Sequence, residues 1–461
     1  MEKKVSKIKE AAREIPVRAS VDILVVGGGP SGLMAAQAAA SDGLKVMLIE
    51  SRSFLGGNLT IGLPVLGFLG QKGNLITQGL AQKFIDRLAA KNAASGHRPC
   101  PLHVSLTIID PEEVKNTALE MLTDAGVEIL LYVFCSTVIK EDDEVKGIII
   151  ESKAGREAIL SKTIIDCTGD ADVAYQAGVP CKKGNENGGM QPPTLMFCMK
   201  GVNVEKLRMS IANEPEMYDM DTIPNEFFRK DDNFITVGLR KKVQEARKEG
   251  IHIPTERTIL ISSLAKDEIW VNMSRISGVD GTDPASLSFG EIEGRKQIHE
   301  LQKYLIKFVP GFENAWISKV APFLGIRESR RIVGRYVLTA DDLLNCRHFD
   351  DVIAVGSYPL DIHHPVGGDC TLIWCGDCYD IPYRSLVPLN VENLLVAGRS
   401  ISTTHEALSA IRVMAPCMLM GEAAGRAAKM AVRKGMYPSQ INIKELQNEL
   451  VETGGYFRPK D

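Results

Sequence analysis

Two glycine-ended strands near opposite ends of the chain constrain its fold more than any other feature. Residues Val21–Gly32 form an apolar strand that runs into the glycine spacing G-x-G-x-x-G. Residues Asn393–Arg399 form a second apolar strand that ends in Gly-Arg. The first pattern is typical of a turn whose backbone contacts phosphate groups. The pair therefore predicts one nucleotide cofactor that both ends of the chain bind.

The N-terminal segment carries the parts of a dinucleotide-binding unit. Gly27, Gly29 and Gly32 remove side chains where a tight turn, a pyrophosphate and a helix must come together. A helix is predicted over Ser31–Asp42, starting at Pro30–Ser31. Its free backbone N–H groups and the positive end of its dipole would point at the phosphates.

The strand after this helix ends in Glu50, about 20 residues beyond the glycines, where a ribose hydroxyl needs an acceptor. This unit alone fits NAD and FAD equally. The residues that follow distinguish them, because Arg52 precedes Gly56, Gly57 and Asn58. A second pair of glycines lets the backbone approach an extended ligand again.

A third segment, Thr163–Asp170, is predicted as a strand that ends in Thr168, Gly169 and Asp170. Short β-runs joined by polar turns precede it, which is typical of a β-meander. The three runs are Val133–Val138, Val145–Glu151 and Glu157–Leu160.

Together these motifs resemble the FAD-dependent oxidoreductases of the glutathione-reductase-like class, which has two dinucleotide-binding domains. The similarity is greatest to a bacterial branch with four recurring motifs, here Gly56–Thr60, Arg327–Arg331, Asp361–His363 and Ala397–Ser402. The resemblance covers nearly the whole chain. It implies that FAD is the cofactor and that Gly398 and Arg399 contact it, but it is weak for the substrate, because function depends on the site and not on the fold.

The predicted fold class is α/β: a Rossmann-like FAD-binding domain with a parallel sheet and a β-meander, plus an inserted α+β substrate domain. The predicted domains are an N-terminal helical leader (1–20), the first part of the FAD-binding domain (21–185), the substrate domain (186–365) and the C-terminal part of the FAD-binding domain (366–461). The leader has a helical stripe of Val5, Ile8, Ala12 and Ile15, and would dock on the body or on a second subunit. The substrate domain would contain strands Pro193–Lys200, Thr258–Ser262 and Glu268–Asn272 and a helix Gly290–Val309.

A helix near the C-terminus is predicted to begin at Pro416. Its small residues would allow close packing on the sheet or the cofactor: Gly421, Ala424, Gly425 and Ala428. The resemblance implies that the N-terminus of this helix, with Met414 and Cys417, faces the pyrimidine edge of the flavin. A positive helix end there favours acceptance of a hydride. Arg412 would reinforce that charge or bind a substrate carboxylate.

The choice of side chains that handle the substrate is less constrained. His363 is the favoured base, because imidazole moves protons near neutral pH and the residue matches the Asp-Ile-His motif. The alternative is a buried structural histidine bonded to Asp361. His405 is a second candidate. Arg331, with the other arginines of its Arg-Glu-Ser-Arg-Arg run, would bind an anionic substrate or make structural ion pairs.

Among the ten cysteines, Cys370, Cys375 and Cys378 have a C-x4-C-x2-C spacing. That spacing occurs in iron–sulfur ligation, and its second half is a dithiol spacing. Either would make the protein an electron-transfer subunit with a redox partner protein, which is the alternative function. No fourth cysteine stands out, so ordinary thiols are favoured and no metal site is assigned.

Composition bears on partners and location. A formal charge of −4 and an aromatic content of 6% argue against a nucleic-acid surface. No stretch is long enough to cross a bilayer, and the leader lacks the apolar core of a signal peptide, so a cytoplasmic location is expected. A homo-oligomer is expected from enzymes of this size.

A second G-x-G-x-x-G after a strand is missing from the sequence. The flavin would therefore exchange electrons directly with a small molecule, with oxygen or with a partner protein. The leading hypothesis is hydride transfer between FAD and a small polar metabolite, either hydroxylated or carboxylated. The direction of the reaction stays open.

Overall fold

A computed structural model describes residues 8–40, 43–100, 102–218, 225–230 and 233–458. Its strands, in chain order, are β1 (Val17–Val26), β2 (Val46–Glu50), β3 (Val65–Leu66), β4 (Arg98–Cys100), β5 (Val104–Thr107), β6 (Glu128–Leu131), β7 (Phe134–Glu141), β8 (Glu144–Ser152), β9 (Gly155–Asp166), β10 (Cys181–Lys183), β11 (Phe197–Lys200), β12 (Ile235–Gly238), β13 (Thr258–Ser262), β14 (Glu268–Val271), β15 (Trp316–Val320), β16 (Arg330–Ile332), β17 (Val352–Gly356), β18 (Leu360–His363), β19 (Cys370–Ile373), β20 (Tyr379–Pro382) and β21 (Leu394–Val396).

Twelve helices lie among these strands in the described part of the chain. In chain order they are α1 (Pro30–Ala39), α2 (Gly79–Ala90), α3 (Pro111–Asp124), α4 (Asp172–Gln176), α5 (Val204–Asn213), α6 (Asn225–Lys230), α7 (Arg240–Lys248), α8 (Pro284–Phe308), α9 (Ala340–Leu344), α10 (His405–Ile411), α11 (Met414–Lys434) and α12 (Ile443–Glu452). Among the described residues no single helix is long and apolar enough to cross a membrane. Helices α10 and α11 meet the length and hydropathy criteria only when they are counted as one segment, and they are bent by 91° relative to each other.

The largest sheet has the order β6-β2-β1-β9-β8-β7, and β21 pairs with β9. Strands β6, β2, β1, β9 and β21 run parallel, whereas β7, β8 and β9 form an antiparallel meander. The predicted α/β class with a parallel sheet and a β-meander is confirmed. The predicted strand Glu157–Leu160 and the first four residues of the predicted strand Thr163–Asp170 are parts of the single strand β9, which ends at Asp166. Ser161 does not interrupt it, because its hydroxyl bonds the backbone oxygen of Thr163 at 2.7 Å.

Helices α1 and α11 pack against each other closely on one face of this sheet. A Cβ atom at Gly421 would lie 2.1 Å from the backbone oxygen of Ser31, and one at Gly425 would lie 2.2 Å from that of Ala35. The small residues therefore permit the predicted close approach, but the partner is α1. Helix α11 begins at Met414, two residues before the predicted Pro416. The predicted end of α1 at Asp42 lies outside the described residues.

A five-stranded antiparallel sheet, with order β12-β13-β14-β11-β15, lies within the region predicted as the substrate domain. Helix α8 starts six residues before the predicted Gly290, because Asp283 caps it by accepting a hydrogen bond from the Ser286 N–H at 2.9 Å. Strand β11 starts at Phe197 and not at Pro193, whose nitrogen cannot donate a ladder hydrogen bond. The boundaries at 185/186 and 365/366 stay predictions.

The prediction of a helical leader is wrong for its described part. Residues 8–16 form no helix, and Ile8 is 95% exposed. A short helix needs tertiary packing on its apolar face, and here the leader instead runs into β1. Val5 lies outside the described residues.

Candidate active site

A cavity of about 590 Å³ opens at the carboxyl ends of β1, β2 and β9. Its lining includes most of the residues predicted to bind the cofactor: Gly27, Gly29, Pro30, Ser31, Glu50, Arg52, Gly57, Asn58, Thr168, Gly169, Asp170, Arg399, Met414 and Cys417. It also includes Arg412 and His363. The structure thus brings together segments from both ends of the chain.

Three glycines predicted to bind the cofactor do not line this cavity. Their lack of a side chain allows the close packing and the backbone conformation that form the cavity. A Cβ atom at Gly32 would lie 1.8 Å from the backbone oxygen of Gly27, and one at Gly398 would lie 2.4 Å from the Ser31 hydroxyl oxygen. Gly56 has a φ of +112°, which side chains rarely tolerate. These glycines therefore act through backbone conformation and close packing.

The wall of the cavity formed by β1, β2 and α1 contains one carboxylate that hydrogen bonds hold in place, and open space lies beside the first turn of α1. The Glu50 side chain, which is 6% exposed, accepts hydrogen bonds from the Gly28 N–H at 2.8 Å and from the Arg52 N–H at 2.9 Å. Nothing lies within 4 Å of a Cβ position at Gly29, which caps α1 without a side-chain hydrogen bond. The first N–H groups of α1 therefore face open space in the cavity.

The charges on this side of the cavity are paired with one another. Arg399 Nη2 lies 2.7 Å from Asp170 Oδ1, which also accepts a hydrogen bond from the Ser329 hydroxyl. Arg52 Nη1 lies 3.7 Å from Glu50 Oε1, and its guanidinium stacks 3.8 Å from the centroid of the Phe323 ring. We call this half of the cavity, from β1 to Arg399, the nucleotide end.

Opposite the nucleotide end, one carboxylate lies at the centre of a polar cluster. Asp361 Oδ2 lies 3.2 Å from His363 Nε2 and 3.3 Å from Arg412 Nη2, and it accepts a hydrogen bond from the Tyr358 hydroxyl at 3.2 Å. Burial alone would raise the pKa of Asp361. The hydrogen bond from His363 and the charges of Arg412 and Arg327 outweigh burial and hold this pKa well below its usual range. Asp361 is therefore ionised at neutral pH. We call this half the substrate end.

His363 lies in the cavity as predicted, but both of its ring nitrogens have partners. Nδ1 lies 3.1 Å from Nη1 of Arg275, and a guanidinium can only donate. Nδ1 is therefore the acceptor, and Nε2–H donates to Asp361. Burial, reinforced by Arg327, lowers the pKa of His363 to about 3. The imidazole is neutral and a weak base in this state.

Arg275 is a buried residue that the sequence analysis missed. Besides His363 it donates to three backbone oxygens of the loop between β18 and β19: His364 at 2.5 Å, Gly367 at 2.7 Å and Asp369 at 2.9 Å. It thereby ties the substrate end to the second sheet. A polar residue just beyond the apolar strand β14 was the available signal.

Three further arginines give the substrate end an excess of positive charge. Arg412 has a buried Nε without a hydrogen-bond partner. Arg327 donates Nη1 to the Pro192 oxygen at 2.5 Å, and burial together with the charge of Arg412 lowers its pKa to about 9. Arg257 donates Nη2 to Cys370 Sγ at 2.9 Å. With Arg275 these cations outnumber the two nearby carboxylates, Asp361 and the exposed Asp369, so the substrate end favours an anionic ligand.

Arg331 and His405, predicted as catalytic, lie outside the lining of the cavity. Both contact Glu328, which is 1% exposed: Arg331 forms an ion pair with it, and His405 Nδ1 lies 2.9 Å from Oε2. A buried carboxylate needs such partners, because leaving it unpaired is costly. Arg331 therefore forms a structural ion pair, which is the alternative that the sequence left open.

The three cysteines of the C-x4-C-x2-C segment do not converge. In the described part of the chain, the side chains whose ligand atoms lie within 4.8 Å of one another are Asp361, His363 and Cys370, without Cys375 or Cys378. Burial raises the pKa of Cys375 to about 12 and that of Cys378 to about 11, so both are protonated thiols. This geometry therefore gives no support to the iron–sulfur alternative for this segment. Arg275 donates to His363, and this also disfavours a cation at Asp361.

Comparison with known proteins identifies the family. A model of the FAD dependent oxidoreductase family matches residues 22–450. The chain belongs to this family. It is 30% identical to thiamine thiazole synthase of Methanococcus vannielii over 194 residues, which cover 40% of this chain and 69% of that protein. It is 31% identical to the same enzyme of Methanococcus aeolicus over 178 residues, 36% of this chain and 60% of that protein.

Among solved structures, a geranylgeranyl bacteriochlorophyll reductase-like protein from Thermoplasma acidophilum is similar, with a TM-score of 0.47 and 15% identity. The alignment covers 94% of this chain and 84% of that one.

FAD is the cofactor of this family, and the residues present fit it. The open Cβ position at Gly29 leaves room for a pyrophosphate beside the uncapped end of α1. The Glu50 carboxylate lies at the end of β2, where a ribose would be bound. Helix α11 also begins without a side-chain cap or an acidic residue in its first turn, and Met414 and Cys417 line the cavity there.

Proposed function

We propose that this protein transfers a hydride between FAD and a small metabolite that carries a carboxylate, with hydroxylated carboxylates included. The observation that supports this most is the excess of arginine over carboxylate at the substrate end. When bound, FAD supplies two-electron oxidation and reduction. We also infer, from the motifs at Gly56–Thr60 and Ala397–Ser402, that the protein is of the glutathione-reductase-like class.

Arg412 would bind the substrate carboxylate. It is 12% exposed, lies just before the first turn of α11, and keeps a buried N–H without a partner. An arginine in such a place forms strong charge-assisted hydrogen bonds with a carboxylate. Arg327 adds positive potential beside it. These residues would hold the reacting carbon at a fixed position in the cavity.

His363 would exchange the proton that accompanies the hydride through Nδ1, which requires that Arg275 move its N–H donor away from that nitrogen. Oxidation of a hydroxyl carbon releases a hydride from carbon and a proton from oxygen, and the reverse reaction takes up both. The cations that depress the pKa of His363 include Arg327 and Arg412. A substrate carboxylate beside them offsets their charge, which raises the basicity of His363 only when substrate is bound.

The thiamine thiazole synthase match covers 40% of this chain, so it supports that activity for this protein only weakly. No observation favours the alternative electron-transfer function, because Cys370, Cys375 and Cys378 do not converge. A cytoplasmic location and a homo-oligomer stay predictions.

The test is anaerobic mixing of the purified flavoprotein with matched pairs of metabolites, each a hydroxycarboxylate and its neutral methyl ester. We expect the visible flavin bands to bleach with the acid and not with the ester, and the reduced protein to be reoxidised by an unsaturated or oxo acid. Equal bleaching by acids and esters would contradict the proposal. So would an Arg412→Gln variant that reacts with the acid at the wild-type rate and Kd.

A further inference from the structure

A small side pocket of about 20 Å³ opens from the substrate end. It shares Arg257, Asn272, Arg327, His363 and Cys370 with the main cavity. Its remaining wall includes Thr255, Ser274 and Arg275. Three guanidinium groups therefore surround a space that adjoins the reacting region.

Two of these guanidinium groups keep N–H donors for a ligand. Within the described residues, Arg257 makes one hydrogen bond, to Cys370, and Arg327 makes one, to Pro192. Arg275, in contrast, uses its donors on the loop after β18 and on His363. Asp369 is the carboxylate among the pocket's lining residues, and its side chain is exposed. The positive charge of the side pocket is therefore largely uncompensated.

A row of contacting side chains links Arg412 to the side pocket. Arg412 contacts Asp361, which contacts His363. Cys370 Sγ lies within 4.8 Å of the facing atoms of Asp361 and His363, and Arg257 donates to that sulfur. A ligand with two anionic groups can therefore reach Arg412 with one group and the side pocket with the other.

We propose that the substrate is a dicarboxylate whose second carboxylate enters the side pocket between Arg257 and Arg327. This inference rests on the proposed function, which places the first carboxylate at Arg412. A volume of about 20 Å³ is close to the space that one water molecule needs, so the side pocket favours a small polar group. Arginine donors match the planar carboxylate, and Asn272 adds a neutral donor.

The experiment is calorimetric titration of the oxidised FAD-loaded protein with malonate, succinate, glutarate and adipate, each compared with its monomethyl ester. At the chain length that fits, we expect the diacid to bind at least roughly tenfold more tightly than its monoester. Arg257→Gln should remove that difference, because it weakens the diacid at least roughly tenfold more than the monoester. Arg257→Lys should keep part of it, since the charge remains but the planar donor pair is lost. Arg87→Gln, an exposed arginine on α2, is the matched control.

The outcomes separate the side pocket from the proposed function. If diacid and monoester bind equally, and Arg412→Gln weakens both, the side pocket is overturned and the first carboxylate site stands. The side pocket is also overturned if Arg257→Gln weakens diacid and monoester by the same factor. If neither series binds, or Arg412→Gln changes no Kd, both proposals fail. Melting temperatures of the variants with FAD bound show whether any loss reflects unfolding.

Discussion

The two ends of the cavity differ in how their charges are balanced. At the nucleotide end, Arg399 pairs with Asp170 at 2.7 Å and Arg330 pairs with Asp172 at 2.8 Å. At the substrate end, four arginines (Arg257, Arg275, Arg327 and Arg412) outnumber two carboxylates, Asp361 and Asp369. The nucleotide end would bind its ligand through backbone N–H groups and through the open space that its glycines leave. The substrate end would bind its ligand through a net positive charge, which an anionic ligand neutralises.

The largest expected effect tests the open space at the nucleotide end. Gly29→Val places a side chain where no protein atom lies within 4 Å, so we expect FAD to be lost on purification while the apoprotein keeps its melting temperature. Gly32→Val is the contrasting variant, because its Cβ would lie 1.8 Å from the Gly27 oxygen and should destabilise the fold. FAD content and thermal unfolding of both apoproteins are the measurements. Normal FAD content in Gly29→Val would refute the location of the cofactor.

A second prediction separates a structural arginine from a binding arginine. Arg331→Gln leaves the buried Glu328 with one fewer partner and should lower the free energy of unfolding by about 3 kcal/mol. Carboxylate affinity should stay within twofold of wild type, because Arg331 does not line the cavity. Urea unfolding and ligand titration measure the two quantities. A large change in carboxylate affinity with an unchanged free energy of unfolding would mean that Arg331 contacts the ligand.

Arg412→Gln should have the opposite profile. We expect the Kd or KM for a carboxylate to rise by roughly thirtyfold, about 2 kcal/mol, with FAD content unchanged. Arg87→Gln serves as the control for loss of one positive charge. An unchanged Kd together with a normal flavin spectrum would show that the anion binds elsewhere.

The pH dependence of stability tests the partners of His363. Its folded-state pKa is about 3 and its usual value is 6.5, so the unfolded chain binds the proton between these values and the folded one does not. Stability should therefore fall as pH drops below about 6.5, by up to about 1.4 kcal/mol per pH unit from this group. His103, with a pKa lowered to about 4 by burial, adds to the fall.

His363→Gln isolates this contribution, because glutamine takes up no proton. We expect a shallower loss of stability in urea unfolding between about pH 7 and about pH 5. The comparison uses the slope and not the absolute stability, since the variant also changes hydrogen bonds. Identical slopes would mean that His363 titrates normally in the folded protein.

The smallest expected effect concerns the cysteines. Cys378→Ala, at a buried thiol away from the cavity lining, should change carboxylate affinity by less than about twofold and leave the visible spectrum unaltered. If the wild-type protein contains iron, and the variant loses both this iron and a visible absorption band, the electron-transfer alternative would be supported instead.

The sequence predicted the nucleotide end because its parts are local. The glycines, the acid at Glu50 and the Thr-Gly-Asp turn each lie within one strand–turn unit, and strand pairing brings these units together. The substrate end contains Arg257, Arg275 and residues near Asp361. They come from distant segments of the chain, and their contacts depend on how the second sheet packs, which no local pattern encodes.

Two differences between the structure and the sequence-based expectations have the same origin. His363 was correctly placed in the cavity, but its lone pair is occupied by Arg275, which lies 88 residues away in the chain. The leader's apolar stripe predicted a helix, yet in its described part Ala12 is exposed and Ile8 is 95% exposed. In both cases the residue type was informative, and the tertiary partner decided the outcome.

The most direct test of the account is a titration of the oxidised FAD-loaded protein with the tightest-binding carboxylate, followed through the visible flavin bands. The account predicts a saturable change in the flavin spectrum, because both ligands occupy one cavity, and its loss in Arg412→Gln but not in Arg87→Gln. Binding without any spectral change, or a change that persists undiminished in Arg412→Gln, would contradict it.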